Sequence, residues 1–206
     1  MKRTRILCAS AAVAVLAGCG GGGGETTREE PDLGGPDATF GLLQQDYTDA
    51  FGRLGTATPT PLDQMPIQGS ATYLGSAVYS QNSTPGDIRA DPTSASRVQI
   101  TTNFSDASVN GRLFNFRSAN PDVAMSGELA LNGIVSGNSV FGGLIPGIFD
   151  APGGVVGDLT VDGVTEAQSG AFGASFIGSD HGALDGAVVF GPGGTPQTYG
   201  VFTAER

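Results

Sequence analysis

The chain has 206 residues, with ten Lys and Arg against twenty Asp and Glu, one His and two Cys. A net charge of −10 repels phosphate backbones and anionic headgroups, which argues against nucleic acid and against peripheral lipid surfaces as partners. Glycine is abundant at 34 residues, yet Phe, Val, Leu and Ile recur steadily, so the composition is not that of a disordered protein.

Residues 1–18 have the layout of a lipoprotein signal peptide. Three basic residues among the first five precede an uncharged, mostly apolar segment at 6–16, which is too short to cross a bilayer as a helix. The tetrad Leu-Ala-Gly-Cys at 16–19 supplies the small residues that the peptidase needs and a sulfur that accepts a diacylglyceryl group. We therefore predict cleavage before Cys19 and acylation of its sulfur. The alternative is an ordinary secretory peptide that contains a cysteine by chance.

Residues 19–39 are predicted to form a flexible, lipidated tether. Cys8 lies in the leader, so the mature chain would keep only Cys19 and no disulfide. Several acyl chains anchor stably, whereas a single chain binds only reversibly. Gly20 follows the cysteine in place of the Asp of an inner-membrane retention signal, which favours the outer membrane. A glycine run and a charged, Pro- and Gly-rich stretch then give a coil with a reach of roughly 25 Å.

Residues 40–66 are predicted to be a helix and a Pro-rich connection. Apolar residues between Phe40 and Leu54 recur at spacings of three and four, which makes one stripe, and Gly55 is placed to end the helix. Such a helix is expected to lie against a sheet or to plug the end of a barrel. A partner-binding helix is the alternative.

Residues 67–206 are predicted to be an antiparallel barrel. The apolar period changes to two after the Pro-rich break, and short runs with turn residues between them recur about every dozen positions. Glycines within these runs favour a barrel over a sandwich, because tight curvature needs positions without a Cβ. The expected fold is all-β, a single eight-stranded antiparallel barrel. The predicted strands are 67–79, 98–104, 109–117, 123–132, 138–145, 155–161, 170–177, 184–190 and 198–204.

Two further predictions concern details of the barrel. Phe172 and Phe176 share a strand face with small residues, so both rings should point inward. The Asn-Gly pairs at 110–111 and 132–133 and the Asp-Gly pairs at 162–163 and 185–186 are hairpin or bulge signals.

Residues that could carry catalysis are few. The single histidine, His181, lies in a Gly-Ser-Asp-His-Gly segment, for which a solvated turn is the expected structure. A nucleophile elbow and a phosphate-binding loop are both missing from the sequence, and one His without a free Cys does not make a zinc site. We therefore predict a protein that is not an enzyme and that has no cofactor and no metal site.

Glycines and aromatics near the end of the chain carry a family resemblance. Gly-Ala-Phe-Gly-Ala-Ser-Phe-Ile-Gly at 170–178 leads through Asp180 to Gly-Ala-Val-Val-Phe at 186–190 and to a final Gly-Val-Phe-Thr-Ala at 200–204. With Pro66 to Gly75 as an opening strand, this pattern resembles the β-barrel domain of transferrin-binding protein B and related surface lipoproteins. The resemblance covers about residues 65–206. It implies a rigid barrel on a tether, displayed by a dedicated lipoprotein exporter, with loops free to bind.

The departure from that family limits what the resemblance implies. Transferrin-binding protein B has two lobes, each with a handle and a barrel, whereas this chain has room for one barrel, so a transferrin partner is not implied. The leading hypothesis is a non-catalytic binding lipoprotein of the outer membrane, with a protein or an iron-related ligand as partner. Its binding residues are expected in the longer loops, above all residues 80–96, with Asp87, Arg89 and Asp91 among the charges of that loop. The alternatives are a structural or envelope-assembly lipoprotein and a lipocalin-like carrier of a small apolar ligand.

Overall fold

The structure is a computed structural model that describes residues 38–81, 84–145 and 149–206. Cys19 and the predicted signal peptide lie outside the described residues, as does nearly all of the predicted tether. The described chain contains helices α1 (Phe40–Leu54) and α2 (Pro85–Ala90) and a short 3₁₀ turn, Leu62–Gln64. Its ten strands are β1 Ser70–Ser80, β2 Ser94–Asn103, β3 Ser108–Ser118, β4 Met125–Ser136, β5 Ser139–Ile145, β6 Phe149–Ala151, β7 Gly154–Val161, β8 Val164–Ile177, β9 Ala183–Pro192 and β10 Thr198–Glu205.

These strands close into the predicted barrel. Neighbours follow the order β3-β2-β1-β10-β9-β8-β7-β4, and pairing of β3 with β4 completes the ring. Strands β5 and β7 share one position, because both lie between β4 and β8 and each pairs with a different part of them. The ring therefore has eight positions, and the prediction of an eight-stranded antiparallel barrel is confirmed.

Alternation along the strands fills the interior with large side chains. Phe172 and Phe176 are both fully buried, as their shared strand face predicts. Aromatic rings from other strands meet them or lie beyond them in the same cluster: Tyr73, Tyr79, Phe116, Phe190 and Phe202. Because these rings and the aliphatic residues between them occupy the described interior, the barrel has a packed core.

Three of the four Asn-Gly and Asp-Gly signals do not mark turns, which corrects the prediction made for them. Asn110 of β3 pairs directly with Asn132 of β4, so both Asn-Gly pairs lie inside strands, and Asp185-Gly186 lies inside β9. Glycine is needed at 133 for close approach, since a Cβ there would lie 2.0 Å from the carbonyl oxygen of Phe141. Only Asp162-Gly163 turns the chain, with φ of 49° and 80° between β7 and β8.

Helix α1 lies on the outer wall of the barrel, which is one of the two placements predicted from the sequence. Thr39 caps the helix, with its side chain accepting from the Leu42 amide at 3.3 Å, and Gly55 follows its last turn. The predicted stripe buries Leu43, Tyr47 and Ala50. These residues pack over β1, β2 and β10 in a second apolar cluster, which also contains Ala38, Val78, Ile88, Ala95 and Val201.

The expected loop 80–96 is more ordered than its composition indicated. Residues 85–90 form α2, which begins with a proline at its first turn, and β2 already starts at Ser94. Ile88 is buried in the outer cluster, so α2 is held against the barrel and α1. A single apolar residue in a run of Ser, Pro and Asp gave too weak a periodic signal to predict this helix.

Candidate functional site

The barrel has two ends that differ in how the chain covers them. We call one the closed end; there the strands terminate at Ser70, Asn103, Ser108, Ser136, Ser139, Ile177, Ala183 and Glu205. We call the other the open end; there they terminate at Ser80, Ser94, Ser118, Met125, Val161, Val164, Pro192 and Thr198.

The closed end is sealed by the segment that leads into β1. The Thr60 amide donates to the Phe176 carbonyl at 2.8 Å, and the Thr60 hydroxyl donates to the Gly178 carbonyl at 2.6 Å. Asn138 donates from its side-chain amide to the Thr60 carbonyl at 3.0 Å. Thr60 is fully buried, and Met65 packs against the interior, so this segment is bonded to the barrel by its backbone and its side chains.

His181 follows a turn whose residues Ser179 and Asp180 are exposed, in keeping with the prediction, but its own side chain is half-buried against this closure. Its ring meets Phe104 edge to face at 5.6 Å, and its carbonyl accepts from the Tyr73 hydroxyl at 2.9 Å. Burial, and then the nearby Arg206, lower the pKa of His181. Nε2 lies 2.8 Å from a guanidinium nitrogen of Arg206, which can only donate, so Nε2 accepts; Nδ1 is buried without a hydrogen-bond partner among the described residues. His181 therefore has a structural role at the closed end.

The open end holds a cleft of about 280 Å³ that is lined by apolar and polar side chains. Its floor is formed by the rings of Phe116 and Phe190, whose centroids are 6.5 Å apart, with Tyr79 packed beneath both. Val161 and Val164 stand at its edge, 39% and 62% exposed. An apolar wall that stays exposed beside a packed floor is a feature of surfaces that bind partners.

The rim of this cleft is fixed by hydrogen bonds. Asp162 and Ala124 exchange two bonds, since the Asp162 carboxylate accepts from the Ala124 amide and the Asp162 amide donates to the Ala124 carbonyl, both at 2.9 Å. On the other side, the Ala119 amide donates to the Thr93 carbonyl at 2.9 Å. Glu166 lines the cleft and Asp162 is part of the bonded rim, and Asp91 and Asp122 lie in the segments that lead into β2 and β4 at the same end; all four are exposed. The cleft therefore has a rim fixed by hydrogen bonds, with acidic side chains in it and near it.

The predicted binding residues lie beside the open end but have different environments. Asp87 and Asp91 are exposed on α2 and at its end, as an accessible site requires. Arg89 is half-buried: its Nε donates to the Tyr47 hydroxyl at 2.8 Å, and its guanidinium lies 4.1 Å from the Phe51 ring centroid. The guanidinium thus joins α2 to α1. A binding role for Asp87 and Asp91 stays a prediction.

Sequence reasoning missed the open-end cleft. A signal was present, because Val161 and Val164 flank the Asp-Gly turn on both sides. Polar residues are usual where a hairpin turn meets solvent, and two valines there indicate a surface that is to be covered. Which strand ends meet around the cleft depends on the closure of the barrel, and this could not be read from spacing.

In residues 38–81, 84–145 and 149–206, no group of three or more His, Cys, Asp or Glu is arranged to hold a metal ion. No helix of this described part is long and apolar enough to cross a membrane.

The barrel part of the sequence matches a known family of protein domains. The family model for the C-lobe and N-lobe β-barrels of transferrin-binding protein B matches residues 65–206, which is more than half of the chain. The chain belongs to this family. The match begins just before β1 and ends with β10, so it covers the whole barrel and leaves α1 outside. The resemblance to the β-barrel domain of transferrin-binding protein B is confirmed.

Solved members of the family are larger than this chain. A point mutant of transferrin-binding protein B from Haemophilus parasuis is 20% identical, with a TM-score of 0.40, and intact Ap-TbpB, with its N and C lobes, is 20% identical, with a TM-score of 0.41. The isotype 1 protein from serogroup B Neisseria meningitidis is 15% identical, with a TM-score of 0.43. These alignments cover 71%, 71% and 72% of this chain and 28% of each of the other chains. No curated protein matches the sequence.

Proposed function

We propose that this chain is a lipid-anchored, surface-displayed binding protein of the outer membrane, without catalytic activity, that captures a protein partner at the open end of its barrel. Membership of the transferrin-binding protein B barrel family supports a binding role. The Leu-Ala-Gly-Cys tetrad at 16–19 and the glycine run at 20–24 support an acylated anchor and a tether that holds the barrel clear of the headgroups.

The observation that carries the binding proposal is the open-end cleft with its two exposed valines. Covering Val161 and Val164 removes apolar surface from water, which contributes roughly 25 cal/mol for each Å² covered. Because the rim is already held by the Asp162–Ala124 bonds, little ordering entropy opposes binding. The acidic residues around the cleft favour a partner with a basic surface, which they also attract from a distance. An apolar projection flanked by Lys or Arg would fit this end.

The alternatives receive less support. A lipocalin-like carrier needs a vacant interior, whereas Tyr79, Phe116, Phe172 and Phe202 fill the described core. An iron-related ligand would need several donor groups that converge, whereas Glu166 is the one acidic side chain among the described residues that line the cleft. A structural or envelope-assembly lipoprotein would have the same acyl anchor. Its barrel would face the periplasm, whereas a displayed barrel faces the cell exterior.

Display is tested by adding protease to whole cells that express the full chain. We expect digestion of the wild-type barrel in intact cells, because a displayed barrel is accessible. Cys19→Ser removes the acylated sulfur, so this variant should stay as unprocessed precursor or leave the outer membrane. A barrel that resists protease until the outer membrane is broken would support the envelope-assembly alternative. Outer-membrane fractionation of Cys19→Ser like wild type would refute the anchor.

Binding at the open end is tested by capture on the immobilised full chain, from growth medium, host fluids and envelope extracts. The double variant Val161→Asp/Val164→Asp should lose the captured protein, because it places charge in the apolar wall. Leu62→Asp is the matched control, since Leu62 is 67% exposed at the closed end. Asp87→Asn and Asp91→Asn should each weaken capture a few-fold if the predicted acidic residues contribute. Equal capture by the double variant and the control would place the site elsewhere.

A further inference from the structure

The hairpin of β7 and β8 extends past the end of β9 at the open end. Every residue from 161 to 167 is exposed, and burial resumes at Gln168. Strand β8 pairs with β7 along its whole start, from Val164 onward, whereas its pairing with β9 begins only at Gln168, opposite Pro192. Residues 164–167 therefore have a neighbouring strand on the β7 side and, in the described part of the chain, none on the β9 side.

The geometry of the turn fixes which backbone groups face this unpaired side. Both residues of the turn have positive φ, and a two-residue turn of this kind makes Val161 and Val164 a hydrogen-bonded pair. The bond from the Asp162 amide to the segment before β4 agrees with this, because it directs the next residue of β7 toward β8. Since backbone groups alternate along a strand, Thr165 and Ala167 direct their N–H and C=O groups away from β7, toward the side without a strand.

We call residues 164–167 the free edge. Pro and Lys, which commonly protect the edge strands of native sheets, are missing from its Val-Thr-Glu-Ala sequence, and Val and Thr favour strands. The connection from β9 to β10 turns back on itself, with the Thr195 amide donating to the Pro192 carbonyl and the Gln197 amide to the Phe190 carbonyl, both at 3.2 Å. The backbone groups of the free edge therefore stay accessible to another strand.

The side chains of the free edge determine what an added strand must present. Val164 and Glu166 both line the cleft, so they share the inward face of the hairpin. An added strand has every second side chain on that face, where an apolar residue fits beside Val164 and Lys or Arg fits beside Glu166. Glu166 also disfavours pairing with a second copy of this chain, whose net charge is −10.

We propose that the open end captures its partner by strand addition: an extended segment, with Lys or Arg and an apolar residue two positions apart, pairs with the free edge. Its backbone bonds to Thr165 and Ala167, and its inward side chains enter the cleft that Phe190 lines. In complexes of this kind, main-chain bonds supply affinity and the alternate side chains supply specificity. This inference rests on the proposed capture at the open end, and it adds the form of the segment that is captured.

The first test adds two peptides of the same composition, with blocked ends, to the full chain. Thr-Lys-Thr-Val-Thr-Val-Thr-Lys-Thr puts Lys and Val on one face of a strand, whereas Thr-Thr-Lys-Val-Val-Lys-Thr-Thr-Thr divides them between both faces. At millimolar concentration, the first peptide alone should slow hydrogen exchange of the Thr165 and Ala167 amides about tenfold, measured by NMR. The Glu166 amide, which faces β7, should change little. No slowing by the first peptide, or equal slowing by the second, would overturn the proposal.

The second test uses variants of the full chain in the capture experiment. Ala167→Pro removes one N–H of the free edge, whereas Ala167→Val keeps it, and residue 167 is exposed and does not line the cleft. The affinity for the captured protein should fall about tenfold in Ala167→Pro and stay at the wild-type value in Ala167→Val. Urea unfolding of both variants should match wild type, because an exposed edge tolerates proline.

The outcomes separate this inference from the proposed function. If Ala167→Pro captures like wild type while Val161→Asp/Val164→Asp does not, the partner binds the open end without strand addition, and this inference alone is overturned. If the double variant also captures like wild type, the proposed site at the open end fails as well.

Discussion

The two ends of the barrel consist of the same strands, but the side chains at their termini differ in what they contact. At the closed end, Thr60, Phe104 and His181 bond to or pack against the barrel itself. At the open end, Val161 and Val164 have no such cover and remain exposed. A domain that needs one end for its own stability still has the other end free for a partner. Leu62 and Ile67 are also exposed at the closed end, at 67% and 88%, but they do not line a cleft with buried rings at its floor. We propose on this basis that the closed end serves folding and the open end serves binding.

The largest effect that this comparison predicts is on the core near the closed end. Phe176→Ala removes a fully buried ring that meets Tyr73 at 5.9 Å and Phe104 at 5.7 Å, so the free energy of unfolding should fall by about 3–5 kcal/mol. Val164→Ala at the open end should change it by under about 0.5 kcal/mol. Urea unfolding of both variants measures the difference. A loss below about 1 kcal/mol for Phe176→Ala would mean that the ring is not packed as described.

A smaller effect is expected from the segment that seals the closed end. Thr60→Val keeps the shape of a fully buried side chain and removes its hydrogen bond to the Gly178 carbonyl, which should cost about 1–2 kcal/mol. Thr198→Val, on the lining of the open-end cleft, makes the same chemical change where the described chain shows no side-chain bond. Its unfolding midpoint in urea should match wild type. Equal losses in the two variants would remove the distinction between the ends.

The smallest effect is a pH dependence that comes from His181. Its pKa is lowered in the folded state, so the unfolded chain binds the proton more readily. The stabilisation is therefore present above the ordinary pKa of about 6.5 and is lost as pH falls through the lower folded value. His181→Asn tolerates the positive φ of 48° at this position and removes the titration.

The wild type should thus lose more stability than His181→Asn between about pH 7 and pH 5, measured by urea midpoints. Asp185, whose pKa is raised by burial, is present in both proteins and cancels in the comparison. Parallel pH curves for the two proteins would show that His181 is solvated at the closed end.

Much of the fold could be predicted because its signals are local. The stripe from Phe40 to Leu54 and the inward face of Phe172 and Phe176 follow from periods of 3.6 and 2. The Asn-Gly pairs were wrongly predicted to mark turns or bulges because the same local sequence also occurs where a glycine lets two strands approach closely. The pairing of Asn110 with Asn132 shows which of the two applies.

The candidate sites depend on contacts between distant parts of the chain. Arg89 looked like a loop charge because its partners Tyr47 and Phe51 lie about forty residues earlier. The free edge at 164–167 depends on where the pairing of β8 with β9 stops. Cys19 could be predicted without any such contact, because the acylating enzymes recognise a short linear segment. Its modification stays a prediction that fractionation can test.

The central claim, that the partner is bound at the open end and not at the closed end, is tested most directly by photo-crosslinking in living cells. A benzophenone amino acid at Val164 or at Leu62 places the same probe at two similarly exposed positions, 62% and 67%, on opposite ends. We predict protein adducts of the full chain from position 164 and none from position 62. Adducts from position 62 alone, or from both positions equally, would contradict the division of the barrel into a structural end and a binding end.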